Sequence, residues 1–360
     1  MSIPHGQAVL TAERTVEAVR VHTAGDLRLD RLELAVPQPH EAVVRIAYGG
    51  ICGSDIHYWR HGAVGASVLR APMVLGHEVV GTIAQAAVDG SGPTGSTAVV
   101  VHPAQTCGVC RWCRTGQEHL CPKCRYLGSA AQWPHTDGGF ATWMTVPTDR
   151  LVPIPDGLDL RRAALAEPTA IAWHAVTRAE QADGPPLHGA HVLVVGAGPI
   201  GLLVAAIARH RGAGSVTVTD LHARPLQVAA RTGADRTLTV EQMSNGTLIP
   251  PADIVFESSG APAGLAMALR AACRGGTVVA VGQLPLADFT LPASQIVTNE
   301  LTVTGSLRMA AELPASLRFL ADPNSGVEAI ISHEFDLDDL ADAFKVAADP
   351  GRSSKVLLRF

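Results

Sequence analysis

The stretch that decides the fold is "VLVVGAGPIGLLVAAIA", residues 192–208. A short apolar run opens it, a glycine turn carrying a proline follows, and a second apolar run closes it. Its lack of charge suggests a membrane span, but a spanning helix needs about 20 apolar residues and no tight turn at its centre. Strand, turn and helix is the reading that fits. Gly196, Gly198 and Gly201 stand in the G-x-G-x-x-G spacing, between a strand and a helix as that motif requires. Glycines there permit a tight turn and a close approach of backbone N–H groups to a pyrophosphate, whose charge the helix N-terminus favours. The next apolar run, "SVTVTD" (215–220), ends in Asp220. A carboxylate at that place accepts from both ribose hydroxyls and repels a 2′-phosphate, which favours NAD over NADP. Arg224, just beyond, is able to accept such a phosphate and keeps NADP open as the alternative.

Outward from this motif, the chain divides by character. From about Ala190, strand-like and helical runs alternate: "SVTVTD", "RPLQVAARTG", "DIVFESSG", "APAGLAMALRAACRGG" and "TVVAVG". That alternation predicts a parallel sheet wound with helices. From Thr15 to about Val146 the pattern is instead short β-like runs between glycines and prolines, which predicts a partly open β-barrel. "LVPIPDGLDL" (151–160) reads as a connector, and "RRAALAEPTAIAWHAVTRA" (161–179) as helical but interrupted by Pro168. The closing "SSKVLLRF" reads as a strand, and the first dozen residues as a loose extension. A chain of 360 residues, 47% hydrophobic and 17% charged, suits two globular domains. A net charge of −5 without a basic run argues against a nucleic-acid partner. No basic-then-apolar leader is evident, so a cytoplasmic protein without a membrane partner is expected.

Five of the seven cysteines fall in "CGVCRWCRTGQEHLCPKC" (107–124). Without an export signal, clustered thiols bind metal more readily than they form disulfides. Cys107, Cys110, Cys113 and Cys121 have the spacing C-x2-C-x2-C-x7-C, enough to enclose one zinc with no open position. Iron–sulfur spacing places the fourth cysteine three residues on and serves a second cluster, and neither holds here. Cys124 is the spare thiol.

A sparser set lies upstream, in "GGICGSDIHYWRHG" (49–62) and "VLGHEVVGTI" (74–83). Taken singly, Cys52 suits a small buried residue and His77 a satisfied core histidine. Together with Glu78 they offer a thiolate, an imidazole and a carboxylate, each able to hold zinc, and Glu167 in "LAEPTAIAWHA" could complete the set. Asp55 would orient His77 through its second ring nitrogen. Ser54 and His57 would carry a proton out of the site, although His57 also suits a partly exposed loop.

The order of "GICGSDIHYW", "APMVLGHEVVG", the four-cysteine lobe, "AEP" and "VVGAGPIG" resembles the zinc-containing medium-chain dehydrogenases over nearly the whole chain. "CGSDIHYW" and "PMVLGHE" resemble its polyol branch; "GSAAQWPHTDGGF" (128–140) and "GSLRM" (305–309) resemble the L-idonate 5-dehydrogenases within it. The resemblance implies an α/β plus β fold. A GroES-like β-barrel catalytic domain would span 15–167 and 309–360, with a Rossmann domain over 168–308 inserted and residues 1–14 left outside. It implies two zincs, one catalytic on Cys52, His77, Glu78 and Glu167 and one structural in the lobe, with Glu167 acting directly or through water. Tyr58 and Arg308 fall on substrate-contacting positions, as does Met309, where sorbitol dehydrogenases carry tyrosine. Ile200, Asp220 and Arg224 fall on NAD contacts; Val281, Gly282, Gln283, Ser306, Leu307 and Arg308 would reach the nicotinamide end. The implied reaction is hydride transfer from the C5 hydroxyl of L-idonate to NAD, in a homodimer or homotetramer. Arg308 is the foremost candidate for the substrate carboxylate, ahead of His135, Arg60 and His61, unless it pairs with Glu167. Oxidation of a neutral polyol or of threonine, or a non-catalytic nucleotide-binding role, are the competing expectations.

Overall fold

Residues 15–245 and 249–360 are described by a computed structural model; the extension expected over 1–14 lies outside them. In the first part of the chain, strand Thr15–Thr23 buries Val16, Ala18, Val19 and Val21, close to the alternation of a half-buried strand. It pairs with Asp26–Glu33 and Met73–Val74 in a three-stranded sheet. A seven-stranded sheet lies beside it. Its main path runs Leu151–Pro153, Ala98–Val101, Glu78–Gln85, Glu41–Gly50, Lys355–Arg359 and Ile331–Asp336, and Trp143–Pro147 also pairs with Glu41–Gly50. The inner faces share one apolar core that includes Val19, Val44, Ile46, Met73, Leu75 and Phe140. The antiparallel register sets Gly50 opposite Glu78, so the chain leaving one strand meets the start of the next.

The second sheet has six parallel strands: β1 (His191–Val195), β2 (Ser215–Asp220), β3 (Arg236–Thr239), β4 (Ala252–Glu257), β5 (Ala272–Ala280) and β6 (Thr302–Gly305). Their spatial order is β3-β2-β1-β4-β5-β6, the doubly wound arrangement whose ligand crevice opens at the carboxyl ends between β1 and β4. The fold is thus a mostly antiparallel β domain combined with a Rossmann domain, the α/β plus β architecture expected.

Three helices line the cleft, α1 (Gly53–His61), α2 (Ala166–Glu180) and α3 (Pro199–His210), and a fourth, α4 (Leu313–Ala321), packs against α2. The break expected at Pro168 is absent. Pro168 lies in the first turn of α2, where a missing N–H forfeits no helical bond, so the helix runs on unbroken. Leu313, Leu317 and Leu320 of α4 are buried in the same cluster as Leu202 and Val204 of α3, and the β-domain strands resume only at Ile331. No helix among the described residues is long and apolar enough to cross a membrane.

Candidate active site and its two metal-competent centres

The cysteine lobe places the sulfurs of Cys107, Cys110, Cys113 and Cys121 within 4.8 Å of one another. Neighbours stand 3.5 Å (Cys110–Cys113), 3.6 Å (Cys121–Cys107) and 3.9 Å (Cys107–Cys113) apart. A tetrahedron with metal–sulfur bonds of about 2.3 Å has edges of about 3.8 Å, so the donor set fits one zinc and leaves no open face. Backbone N–H groups of Val109 and Cys110 hold the Cys107 thiol down at about 6. Desolvation, then the sulfurs of Cys110 and Cys121, push Cys113 up to about 11. Cys124 is buried outside the cluster, its sulfur 3.7 Å from the Arg125 carbonyl. None of the seven cysteines is in a disulfide.

The second centre follows from the Gly50–Glu78 register. Cys52 caps α1 just beyond one strand, Glu78 begins the facing one and His77 immediately precedes it; their ligand atoms also lie within 4.8 Å of one another. Asp55 ties the two segments together, accepting from the Cys52 N–H (2.9 Å) and the Gly76 N–H (3.1 Å). Its oxygen is 4.0 Å from His77 Nδ1, an ion-pair distance rather than the hydrogen bond expected. Burial alone would lower the His77 imidazole, but the Cys52 sulfur, Asp55 and Glu167 hold it well above the ordinary histidine value.

Lys355, unrecognised in the sequence, donates to both Glu78 oxygens at 2.7 Å and to the Ile51 carbonyl at 3.3 Å. Both partners are buried. Burial raises the Glu78 carboxyl to about 7 against the pull of Lys355, and Lys355 is itself raised because Glu78 and Cys52 outweigh its burial. Each carboxylate oxygen keeps a lone pair beyond the one Lys355 uses, so a metal remains compatible with this pair. The signal was a lysine heading an otherwise apolar strand, "KVLL".

These residues open on a cleft of about 570 Å³ between the two sheets. Cys52, Ser54, Tyr58, His77, Glu78 and Glu167 line one side, and Ile200, Val281, Gly282, Gln283, Ser306, Leu307 and Arg308 the other. Glu167 lies outside the close three-ligand set; its Oε1 accepts from the Tyr126 hydroxyl at 2.5 Å. Burial, then Glu167, raises the Tyr126 phenol well above its usual value, so it stays a donor. The Arg308 guanidinium lies over the same ring, 5.3 Å from its centre, and donates to the His119 carbonyl at 3.5 Å. Tyr126 therefore takes up both groups, and the alternative Arg308–Glu167 ion pair does not form. Arg308 is the sole lysine or arginine among the described residues lining the cleft.

The nucleotide turn has the geometry its glycines require. Gly196 has φ +98°, and a Cβ on Gly201 would fall 1.9 Å from the Gly196 carbonyl. Gly198 caps α3. Asp220 accepts from the Ala197 N–H (2.7 Å) and the His222 N–H (2.8 Å), which sets it against the turn. Arg224 is exposed at the start of the helix after β2.

Other expected residues lie elsewhere. Met309 is buried in the apolar core and does not reach the cleft wall, because the chain turns inward after Arg308. His57, Arg60 and His61 are exposed on α1 and are not part of the cleft lining. Both His135 nitrogens are engaged, Nε2 by the Arg70 N–H and Nδ1 by the Gln132 carbonyl, so its role is to shape the loop. Tyr58 lines the cleft, but its hydroxyl accepts from the Ala130 N–H at 2.9 Å.

Two family profiles match the chain, the alcohol dehydrogenase GroES-like domain over residues 38–156 and the zinc-binding dehydrogenase over 199–322. The chain belongs to the zinc-binding medium-chain dehydrogenases, in the branch that contains polyol and sugar-acid dehydrogenases. It is 33% identical to L-idonate 5-dehydrogenase (NAD(P)(+)) of Escherichia coli, over 88% of this chain and 91% of that protein. Sorbitol dehydrogenase of Gallus gallus is 32% identical, over 95% and 96% respectively. Among solved structures, the Escherichia coli L-idonate 5-dehydrogenase superposes with a TM-score of 0.89 at 31% identity, covering 97% of this chain and 99% of that one. A zinc-binding dehydrogenase from Sinorhizobium meliloti, bound to NADP, gives 0.86 at 27% identity, covering 97% and 100%.

Proposed function

We propose that this enzyme transfers hydride from the C5 hydroxyl of L-idonate to NAD, reversibly, giving 5-keto-D-gluconate. The observation that carries the reading is Arg308, the sole lysine or arginine among the described residues of the cleft wall, on the side facing Cys52, His77 and Glu78. A guanidinium binds carboxylate with two parallel hydrogen bonds, which suits a sugar acid better than a neutral polyol. The likeness to L-idonate 5-dehydrogenase supports the same substrate.

In this reading Cys52, His77 and Glu78 hold the catalytic zinc and Glu167 stands beside it, while the four-cysteine lobe holds a second, structural zinc. The catalytic zinc supplies Lewis-acid polarisation of the substrate hydroxyl. Ser54 Oγ in the cleft wall, the cofactor ribose and His57, one helical turn along α1 at the surface, form the relay that carries the proton out. Partial desolvation of the ring, then His61 and Arg60, lower the His57 imidazole, so it is neutral and able to accept at pH 7. Tyr58 frames the substrate through the 129–131 loop. Gly196, Gly198, Ile200, Gly201, Asp220 and Arg224 bind NAD, with residues 281–283 and 306–308 at its nicotinamide end. Asp220 supports NAD over NADP, since its carboxylate occupies the place a 2′-phosphate would need.

In the same reading the domain division falls at 167/168 and 308/309. The edge strand β6, with Val303 and Val297 exposed nearby, supports a homodimer or a tetramer built from it. Seven cysteines, none of them in a disulfide, support a reducing compartment, hence the cytoplasm.

A second reading, a sorbitol- or xylitol-type polyol dehydrogenase, is favoured by the engagement of Arg308 with His119 and Tyr126, which leaves fewer donors for a carboxylate. Steady-state kinetics with idonate and sorbitol decide. A higher kcat/KM for idonate that collapses in Arg308→Ala supports the first reading. A sorbitol preference, or an idonate KM that Arg308→Lys leaves unchanged, removes it.

A further inference from the structure

Glu167, Ile171, His174 and Arg178 follow one another along α2 at steps of four, three and four, so they share one face of the helix. The first two line the cleft. The last two do not; they hold a separate segment of chain. Arg178 donates to Thr304 Oγ1 at 2.7 Å and to the Gly305 carbonyl at 3.3 Å. His174 Nδ1 lies 2.7 Å from Glu312 Oε1, and the other Glu312 oxygen accepts from the Ala310 N–H at 2.5 Å. One helix thus grips segment 304–312 at both ends, and Arg308 is at its centre.

The held segment is one that needs holding. Arg308 has φ +56°, a left-handed conformation that a residue with a side chain keeps only where its surroundings over-determine it. Met309, buried in the core, pins the next position. The zinc lobe closes the remaining side: the His119 ring packs edge-on against His174 at 4.5 Å, and the His119 carbonyl accepts from Arg308. His174 is buried, and neither it nor Glu312 lines the cleft.

We infer that His174, Arg178 and Glu312 are positioning residues: they clamp segment 304–312 onto α2 and so hold the Arg308 guanidinium in register with Glu167, on the same helix. The inference rests on the reading of Arg308 as the group that meets the substrate. The clamp orders the backbone around Arg308 before substrate arrives, so its loss weakens substrate binding without touching the reacting atoms.

The test uses the zinc-loaded enzyme with whichever sugar acid or polyol it turns over best, and follows amide hydrogen exchange in the 305–312 peptide alongside. Glu312→Gln can accept at only one of the two places Glu312 serves. His174→Gln sets its amide away from the position of Nδ1, whereas His174→Asn sets it close to that position. Glu312→Gln and His174→Gln are expected to raise KM about tenfold, with kcat changed by less than about twofold, and to speed exchange across 305–312. His174→Asn should restore both. On an Arg308→Lys background, Glu312→Gln should add less than about twofold to KM, because the two act through one group. An unchanged KM, a raised KM without faster exchange, or full additivity with Arg308→Lys would each overturn the clamp. If the parent enzyme oxidised none of these substrates, the functional reading would fail, while the exchange measurement would still decide whether Glu312 and His174 hold the segment.

Discussion

In the cysteine lobe the sulfur neighbours stand 3.5, 3.6 and 3.9 Å apart and no carboxylate or imidazole joins them. Around Cys52 there is one sulfur, joined by His77 and Glu78 and bordered by Asp55, Glu167 and Lys355. The first centre satisfies a tetrahedral ion completely. The second gives it three donors and surrounds them with charged groups that a closed site would have no use for. On the proposed reading, cysteine density marks a staple, and the chemistry lies where ligands are few and buried charges many.

That contrast can be broken most forcefully at Cys52. Cys52→Ser should lower turnover about 10³-fold or more and empty the open centre, while zinc stays in the lobe. Full turnover in the variant, measured with metal content, would erase the distinction.

Next in size is Lys355→Met, which strands the Glu78 carboxylate in a buried site. Breaking such a pair costs about 3–5 kcal/mol, so urea unfolding should shift to markedly lower concentration with the lobe zinc unaffected. An unchanged midpoint would mean that Glu78 does not depend on Lys355.

Cys107→Ser should release the lobe zinc and lower Tm by about 5 °C, with any loss of activity arising from the loosened lobe while the open centre keeps its ion. Acid should act on the same lobe. Thiolates bind metal and thiols do not, so zinc affinity there should fall as pH drops through the Cys107 value of about 6, detectable with a zinc indicator. Retention of the lobe zinc at pH 5 with undiminished affinity would contradict this.

The smallest expected effect concerns Glu312, the partner of the His174 ring on which the lobe's His119 packs. Burial pushes its carboxyl up, but the His174 bond outweighs burial and holds it below the ordinary glutamate value. A folded value below the unfolded one stabilises the protein above the unfolded pKa, and that stability is lost as pH falls through the folded value. Parent and Glu312→Gln stabilities should therefore differ at pH 7 by about 1 kcal/mol, the scale of one hydrogen bond, and converge as acid protonates the carboxyl. A gap that widened on acidification would have the wrong sign.

Local patterns made much of this legible. The glycine turn, the strand–helix alternation and the C-x2-C-x2-C-x7-C spacing each lie within a few dozen residues, where periodicity and covalent reach limit the options. Cys52, His77 and Glu78 needed only one strand pairing to meet, and Gly50 opposite Glu78 supplies it. What could not be read depends on long-range packing. Lys355 is 277 positions from Glu78, and His174 is 138 from Glu312. Met309 sits beside Arg308 in sequence, but a left-handed turn sends the two side chains to different places, one to the core and one to the cleft. Pro168 looked like a break because a proline's effect depends on its position in the helix, and sequence alone left the first turn unplaced.

The most direct test of the central claim is zinc stoichiometry and NAD reduction measured together in the parent, Cys52→Ser and Cys107→Ser enzymes. Two zincs per chain are expected in the parent and one in each variant. Cys52→Ser should keep the parent's fold and lack turnover, and Cys107→Ser should lose thermal stability while retaining the open-centre ion. A Cys52→Ser enzyme that kept both zincs and full turnover would contradict the assignment of the chemistry to the open centre.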